Sequence, residues 1–317
     1  MSCLNQPTDR WNHWQRNNFV SMNIPRILLF VCLFGNLFSY LCAQVPQEQS
    51  FRLPHIPEIL ATPEERAAYL SLHYWDHFDF TDAALVDRPE VTEQAFVDFI
   101  GILPYASNAQ EAVDTLFRRA SVARKMLAHF ITLTDKYLYE PNSPMHNEEL
   151  YILALRALVN HPGLKEIDKL RPRQRLKMAM KNRPGDVAAD FVFVCRDGTR
   201  RCLSELKADY LLLYFNDPDC GDCRRVKERL SSSQPVNRLL ASGRLKVLSV
   251  CVEGKTETWE KTTFPAYWMD GYDEGQQLTR KRTYDLKAMP TLYLLDARKR
   301  VILKDASVEQ IEARLTS

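Results

Sequence analysis

The spacing of apolar residues changes near the middle of the chain. From Thr62 to about Lys181, apolar residues recur every three or four positions, as in "TEQAFVDFIGIL" and "NEELYILALRALV", with breaks at "LPYASN" and "YEPNSPMHN". This period is typical of amphipathic helices, so we predict an all-helical part of four to six helices. A capping box over Thr62–Glu65 opens the first helix. The predicted core is rich in aromatic residues, among them Tyr74, Trp75, Phe78 and Phe80.

A different pattern follows Pro184. "DFVFVCRDGTRRCLSEL" alternates on both sides of Asp197-Gly198, which predicts a hairpin. "YLLLYF" and "LKVLSVCV" are uninterrupted apolar runs, expected of strands that are covered on both faces, and "TLYLLD" with "RVILKD" predicts a final strand pair. Helices are expected after Cys223, from Gln276 to Leu286, and after a capping box at Ser307–Gln310. The order of these elements indicates an α/β domain.

The first 60 residues follow neither pattern. In "IPRILLFVCLFGNLFSYLCAQ", Arg26 precedes an apolar run that ends near small Ala43, so we predict a secretory signal cleaved after Ala43. An uncleaved membrane anchor and a lipid on Cys42 are the alternatives. Met22 is the expected translation start, because Met1 to Ser21 form a long polar lead. The predicted division is a signal region (1–43), a proline-spaced linker (44–60), a helical domain (61–183) and an α/β domain (184–317).

Charge argues against several function classes. The chain has 42 basic and 40 acidic side chains, a net charge of +2, which predicts no nucleic-acid or polyanion partner. "KEIDKLRPRQRLKMAMKNR" is strongly basic but has no interleaved aromatic residues, so it is interpreted as a solvated connecting helix. His73 and His77 stand four apart on a predicted helix, yet Tyr74 occupies the position where a zinc protease needs glutamate. They are interpreted as structural histidines.

The candidate chemistry lies in "DPDCGDC", directly after the apolar run "YLLLYFN". Cys220 falls where a strand gives way to a helix, and the unpaired amides of a helix start favour a thiolate. Cys220 is therefore the predicted nucleophile, and Cys223, one turn inside the helix, is the predicted resolving thiol. Asp219 and Asp222 oppose this effect, whereas Arg224 supports it. We expect Cys220 to be only moderately acidic, which favours a reductant or isomerase over a strong oxidant.

The other cysteines leave alternatives open. With Cys220 and Cys223, Cys195 and Cys202 could complete a zinc site, although they flank a turn and form no second C-x-x-C motif. If four residues form the hairpin loop, Cys195 and Cys202 face each other and could form a disulfide at a suitable pair position. Packing as small apolar residues is the other interpretation for both. Cys251 is expected to be a buried strand cysteine. No metal or cofactor is expected.

Beyond the cysteine pair, "LKVLSVCVEG" and "TYDLKAMPTLYLLD" make residues 184–317 resemble an envelope-located thioredoxin-like domain of the TlpA/ResA type. The resemblance implies that Pro290 follows a cis peptide bond and faces the cysteines, and that Met289, Pro290 and Thr291 hold an extended substrate strand. Tyr214 replaces the buried acid of thioredoxin, which leaves the proton relay unassigned. The stretch "YLSLHYWDHFDFTD" resembles a helical domain of unknown function found ahead of thioredoxin-like domains in secreted bacterial proteins.

These features together predict an exported thiol-disulfide oxidoreductase. Its expected location is the periplasm or cell envelope, with membrane contact only through an uncleaved anchor. Its expected partners are protein disulfide substrates and a thiol electron donor in the envelope. The alternative is a binding or scaffold module, in which the helical domain recruits a partner and the cysteine pair is structural. Peroxidase chemistry is weaker, because Asp217 stands where a peroxidatic cysteine needs threonine.

Overall fold

The structure is a computed structural model that describes residues 51–316. The predicted signal region, the expected start at Met22 and the first part of the linker lie outside the described residues. No helix within residues 51–316 is long and apolar enough to cross a membrane.

The first part of the described chain is helical, as its apolar period predicts. Thr62 caps the first helix: its Oγ1 accepts from the Glu65 N–H at 3.2 Å, and the Glu65 carboxylate accepts from the Thr62 N–H at 3.0 Å. Asn147 caps the fifth helix through a single bond, in which its side-chain oxygen accepts from the Leu150 N–H. Residues 51–179 contain α1 (Pro63–His73), α2 (Pro89–Ile102), α3 (Ala109–Ala120), α4 (Arg124–Thr134), α5 (Glu148–Asn160) and α6 (Glu166–Ala179).

The predicted aromatic core is confirmed. Tyr74 and Trp75 are each 1% exposed, Phe80 is buried, and Phe78 packs against this cluster from its edge. One detail differs from the prediction, because α1 ends at His73 and leaves His77 exposed in the following turn. The two histidines therefore do not share a helix face.

The second part is a seven-stranded sheet in the order β2-β1-β5-β4-β3-β6-β7. The central strands β3, β4 and β5 run parallel, and the other neighbours pair antiparallel. Leu211 and Leu213 pack on one face of the sheet and Leu212 on the other, which confirms that β3 is covered on both faces. The strands are β1 (Val192–Cys195), β2 (Arg200–Cys202), β3 (Tyr210–Asn216), β4 (Leu245–Cys251), β5 (Met269–Tyr272), β6 (Thr291–Asp296) and β7 (Val301–Lys304).

Helices cover both faces of this sheet. They are α7 (Gly221–Ser232), α8 (Gln234–Ala241), α9 (Glu257–Lys261), α10 (Gln277–Lys281) and α11 (Val308–Thr316). The capping box before α11 is confirmed by two hydrogen bonds between Ser307 and Gln310. The helix predicted from Gln276 to Leu286 is wrong in length, because the chain turns into the left-handed region at Arg282 (φ 49°) and α10 stops there.

The predicted hairpin exists, but its cysteines do not face each other. The Cys195 N–H donates to the Thr199 carbonyl at 2.9 Å, so the loop contains three residues rather than four. Gly198 supplies the positive φ of 83° that such a short loop needs. The register therefore places Cys202 opposite Val192, and both hairpin cysteines are free and half-buried.

Candidate active site

The first cysteine of the pair lies where β3 ends and α7 begins. Cys220 is the N-cap of α7, and its sulfur accepts from the Cys223 N–H at 3.4 Å. The turn before it is closed by Asp217, whose carboxylate accepts from the Asp219 N–H and whose carbonyl accepts from the Cys220 N–H. The sulfur of Cys220 therefore sits at the positive end of the helix, where negative charge is stabilised.

The second cysteine has a very different environment. Cys223 is 2% exposed, and burial raises the pKa of its thiol to about 12. Its sulfur accepts from the Asp217 N–H at 3.4 Å. The Tyr214 hydroxyl donates to the Cys223 carbonyl at 2.6 Å rather than to the sulfur, and burial raises the pKa of Tyr214 well above its usual range. Tyr214 thus braces the first turn of α7 and is no substitute for a proton-accepting carboxylate.

The predicted substrate-binding residues lie beside the pair. The Met289–Pro290 peptide bond is cis, as the family resemblance implies. The Cys220 thiol donates to the Met289 carbonyl at 3.5 Å. Thr291 begins β6, pairs with Phe215 at the end of β3, and donates through its hydroxyl to the Ala288 carbonyl at 2.6 Å. The sheet register therefore brings residues about 70 positions apart into one site.

The charged residues near the pair occupy separate positions. Asp219 is exposed in the turn, Asp222 forms an ion pair with Arg225 in the first turn of α7, and Arg224 is exposed on that turn. Arg224 also lines a cleft of about 270 Å³ that reaches Cys223. Within residues 51–316, no group of three or more His, Cys, Asp or Glu side chains could hold a metal ion.

A second, larger cleft adjoins the pair and was not predicted. It has a volume of about 800 Å³ and is lined by Asp222 from the C-x-x-C turn and by Met289 and Pro290. The loop before α5 also contributes to its lining, from Pro141 to Pro144 together with His146. The sequence showed this loop only as a break in a helical pattern, which carries no information about what it faces.

Buried charges connect this loop to the active-site side of the sheet. Lys287, which is 8% exposed, lies 3.0 Å from Asp305 and 3.4 Å from Glu148 in α5. Lys304 donates to Glu148 at 2.6 Å, and His146 lies 3.4 Å from Asp305. Burial alone would raise the pKa of Asp305, but His146 and Lys287 outweigh it and lower that pKa to about 2. No local sequence pattern indicates this cluster, because its members lie up to about 160 positions apart.

Comparison with known proteins identifies both parts of the chain. The family described as a domain of unknown function, DUF5106, matches residues 10–182. A thioredoxin-like protein from Bacteroides caccae is 43% identical, with a TM-score of 0.80, and the match covers 84% of this chain and 98% of that one. A search of curated proteins finds no match.

Two further solved structures match a smaller share of the chain. The C-terminal domain of an uncharacterized protein from Bacteroides fragilis is 38% identical over 43% of this chain and 99% of that one, with a TM-score of 0.42. A putative thiol:disulfide interchange protein DsbE from Chlorobium tepidum is 26% identical over 42% of this chain and 98% of that one, with a TM-score of 0.34.

The predicted fold class, an all-helical part followed by a thioredoxin-like α/β part, is confirmed, and so is the resemblance on which it rests. The match to the Bacteroides caccae protein extends over nearly all of that chain, so the two parts occur together there as well. The chain belongs to the DUF5106 family and to the thioredoxin-like proteins.

Proposed function

We propose that the chain is an exported thiol-disulfide oxidoreductase of the reductase or isomerase type, which acts on protein disulfides through Cys220 and Cys223. The proposal includes the division into a helical domain (61–183) and a thioredoxin-like domain (184–317), and a location in the periplasm or cell envelope. Protein disulfides are the proposed substrates, and a thiol in the envelope is the proposed electron donor.

One observation carries this proposal. The sulfur of Cys220 caps α7 and contacts the Met289 carbonyl at the cis Met289–Pro290 bond, while Cys223 is buried one turn away. A partly exposed sulfur at a helix start is suited to attack, and a buried thiol within the same turn is suited to resolve the product. Asp219 and Asp222 beside the pair support a reducing role over a strongly oxidising one.

The reaction proceeds in two exchanges. The Cys220 thiolate attacks one sulfur of the substrate disulfide, forms a mixed disulfide, and releases the other substrate sulfur, which takes up a proton. The Cys223 sulfur, after losing its proton, then attacks Cys220 and releases the second substrate thiol. The substrate gains two electrons, and the cysteine pair loses two as its own disulfide forms. A thiol donor returns these electrons and completes the cycle.

The test is reduction of insulin disulfides by the purified protein with dithiothreitol as the electron source. We expect catalysis above the rate of dithiothreitol alone, complete loss in Cys220→Ser, and no change in Cys202→Ser. Cys223→Ser should accumulate a mixed disulfide between Cys220 and the substrate, visible by mass spectrometry. If Cys220→Ser reduces insulin as fast as the unaltered protein, the pair is structural and the scaffold alternative takes its place.

A further inference from the structure

The segment that leads into the cis Met289–Pro290 bond is held by side chains rather than by backbone pairing. It comprises residues 284–290, between α10 and β6, and its backbone groups form no hydrogen bond with the backbone of residues 51–316. At its start, the buried Tyr284 hydroxyl donates to a carbonyl before β1 at 2.6 Å. At its end, the Thr291 hydroxyl donates to the carbonyl just before Met289. The conformation between these two points therefore depends on further side-chain contacts.

Lys287 anchors this segment to the helical part of the chain. Its side chain is 8% exposed, its Nζ lies 3.4 Å from Glu148, and the centre of the Tyr139 ring lies 5.2 Å from that nitrogen. Lys287 precedes Met289 by two residues, and the Met289 carbonyl accepts from the Cys220 thiol at 3.5 Å. The place of the buried ammonium group therefore limits where this carbonyl can lie relative to the sulfur.

Glu148 holds Lys287 beside a second buried lysine. One oxygen of the Glu148 carboxylate lies 3.4 Å from Lys287, and the other lies 2.6 Å from Lys304 in β7. Lys304 is itself fixed, because it also donates to two backbone carbonyls where α6 ends. Asp305 pairs with Lys287 at 3.0 Å, but within residues 51–316 only Glu148 pairs with both lysines. Without its charge, two buried ammonium groups would lie close together with one carboxylate fewer, which is unfavourable.

We propose that Glu148, in the helical part, is a positioning residue for the oxidoreductase: through Lys287 it holds the Met289 carbonyl against the Cys220 sulfur. This inference rests on the proposed function and adds a control on the reactivity of its nucleophile. A hydrogen bond to the neutral thiol disfavours the thiolate, so the contact restrains Cys220. The same placement keeps the Met289–Pro290 edge in position for a protein substrate. The helical part thereby takes part in the chemistry without contacting the reacting atoms.

The first test measures the rate at which iodoacetamide labels Cys220 in the reduced protein at pH 7. Glu148→Gln should release the Met289 carbonyl and accelerate labelling about fivefold, the ratio for a coupling of about 1 kcal/mol. Glu149→Gln is the matched control, because it removes the same charge one residue along. The Glu149 side chain is 47% exposed and pairs with Arg183, so this variant should leave the labelling rate unchanged. Equal rates in the two variants would overturn the proposal.

Cys251 separates positioning from loss of structure in the same samples. It is 0% exposed in β4, so the reagent reaches it only when the protein opens. The proposal predicts faster labelling of Cys220 while Cys251 stays unlabelled. Labelling of Cys251 in step with Cys220 would show that Glu148 only stabilises the fold, and would overturn the proposal. If Glu148→Gln does not fold, Tyr139→Leu, which removes the ring beside Lys287, is tested against the same two outcomes.

A double variant tests whether Glu148 acts through Lys287. Lys287→Met removes the ammonium group and should accelerate labelling of Cys220 at least as much as Glu148→Gln does. Adding Glu148→Gln to the Lys287→Met protein should produce no further acceleration, because the contact that it would break is already absent. Independent, multiplying effects on the rate would mean that Glu148 acts on Cys220 by another route, contrary to the proposal.

Insulin reduction separates this proposal from the one on which it rests. Glu148→Gln should reduce insulin about fivefold more slowly although its Cys220 is labelled faster, because the Met289–Pro290 edge is no longer held in place. If the unaltered protein does not reduce insulin, the oxidoreductase function itself fails, while the labelling ratio still decides the placement of the Met289 carbonyl. If it does, and Glu148→Gln matches Glu149→Gln in both assays, the function stands and the positioning role is overturned.

Discussion

Two regions of the thioredoxin-like part each carry two cysteines close in sequence, but the backbone places the two cysteines of each region differently. At the start of α7, Cys220 and Cys223 lie in one helical turn, and backbone N–H groups donate to both sulfurs. In the β1–β2 hairpin, the strand register separates Cys195 from Cys202. Closeness in sequence therefore does not by itself bring two sulfurs into one site. The local backbone decides whether they meet, through a helical turn in one region and the strand register in the other.

The ion pairs beside the two regions also differ, because the cluster at Lys287 is buried and the pair at Arg200 is exposed. Beside the Met289–Pro290 bond, Lys287 is buried among Glu148, Asp285 and Asp305. At the hairpin, Arg200 pairs with Glu274 in an exposed position. A buried ionic cluster loses much stability when one partner is removed, whereas an exposed pair contributes little. The active-site side is therefore the more constrained of the two.

The largest expected effect contrasts the two cysteine regions directly. Cys220→Ser should lower the rate of disulfide exchange by about a thousandfold or more, because the nucleophile is lost. Cys202→Ser should leave the rate within about twofold of the unaltered protein. Insulin reduction measures both variants. Comparable losses in the two would mean that the hairpin takes part in the chemistry, contrary to the comparison.

The next effect concerns stability. Lys287→Met should destabilise the protein by about 3 kcal/mol, because it leaves the buried carboxylates without this partner. The control at the hairpin, Arg200→Ala, should cost no more than about 0.5 kcal/mol. Urea denaturation of both variants gives the two values. Similar shifts of the urea midpoint in the two variants would show that the Lys287 cluster contributes no more to stability than a surface ion pair.

Cysteine labelling provides a smaller and pH-dependent contrast. Burial raises the pKa of the Cys195 and Cys202 thiols, and it raises that of Cys223 to about 12. A thiol below its pKa gains about tenfold in thiolate per pH unit, so labelling of the hairpin cysteines should accelerate between pH 7 and 9. At pH 7, iodoacetamide should modify Cys220 about tenfold faster than either of them. Mass spectrometry of timed samples reads each site, and a hairpin cysteine labelled first would contradict the comparison.

The smallest effect is confined to the hairpin turn. Gly198 has a φ of 83°, a conformation that costs an alanine about 1 kcal/mol. Gly198→Ala should therefore lower the thermal midpoint by a few degrees, by the usual ratio of about 2–4 °C per kcal/mol for a chain of this size. It should not change the rate of insulin reduction. A loss of activity greater than the loss of folded protein would couple the hairpin to the active site.

The sequence pattern predicted those helices and strands that are determined by residues adjacent in the chain. The apolar runs of β3 and β4 gave the central strands, and the capping boxes at Thr62 and Ser307 gave helix starts. The strand β5 was missed because "MDGY" has no apolar period. Its place depends on the neighbouring strand: a Cβ on Gly271 would lie 2.7 Å from the Val194 carbonyl oxygen, so only glycine fits there.

Only part of the candidate site was predicted, because the rest of it forms through contacts between residues far apart in the chain. The cysteine pair and Pro290 carry short motifs, and the family resemblance implied that they meet. The loop of residues 141–146 and Lys287 carry no motif, and Lys287 contacts Glu148, just after this loop, across about 140 positions of sequence. The hairpin prediction was wrong because the loop is one residue shorter and begins one residue earlier than expected, and together these differences place Cys202 opposite Val192, three positions from Cys195.

The most direct test of the central claim is a redox titration of the protein in glutathione and dithiothreitol buffers, with alkylation mass shifts read at Cys220 and Cys223. The account predicts a reversible two-electron transition at a potential nearer to that of thioredoxin (about −270 mV) than to that of DsbA (about −120 mV). The transition should persist in Cys195→Ser and Cys202→Ser. A pair that never forms a disulfide, or that retains zinc instead, would contradict it.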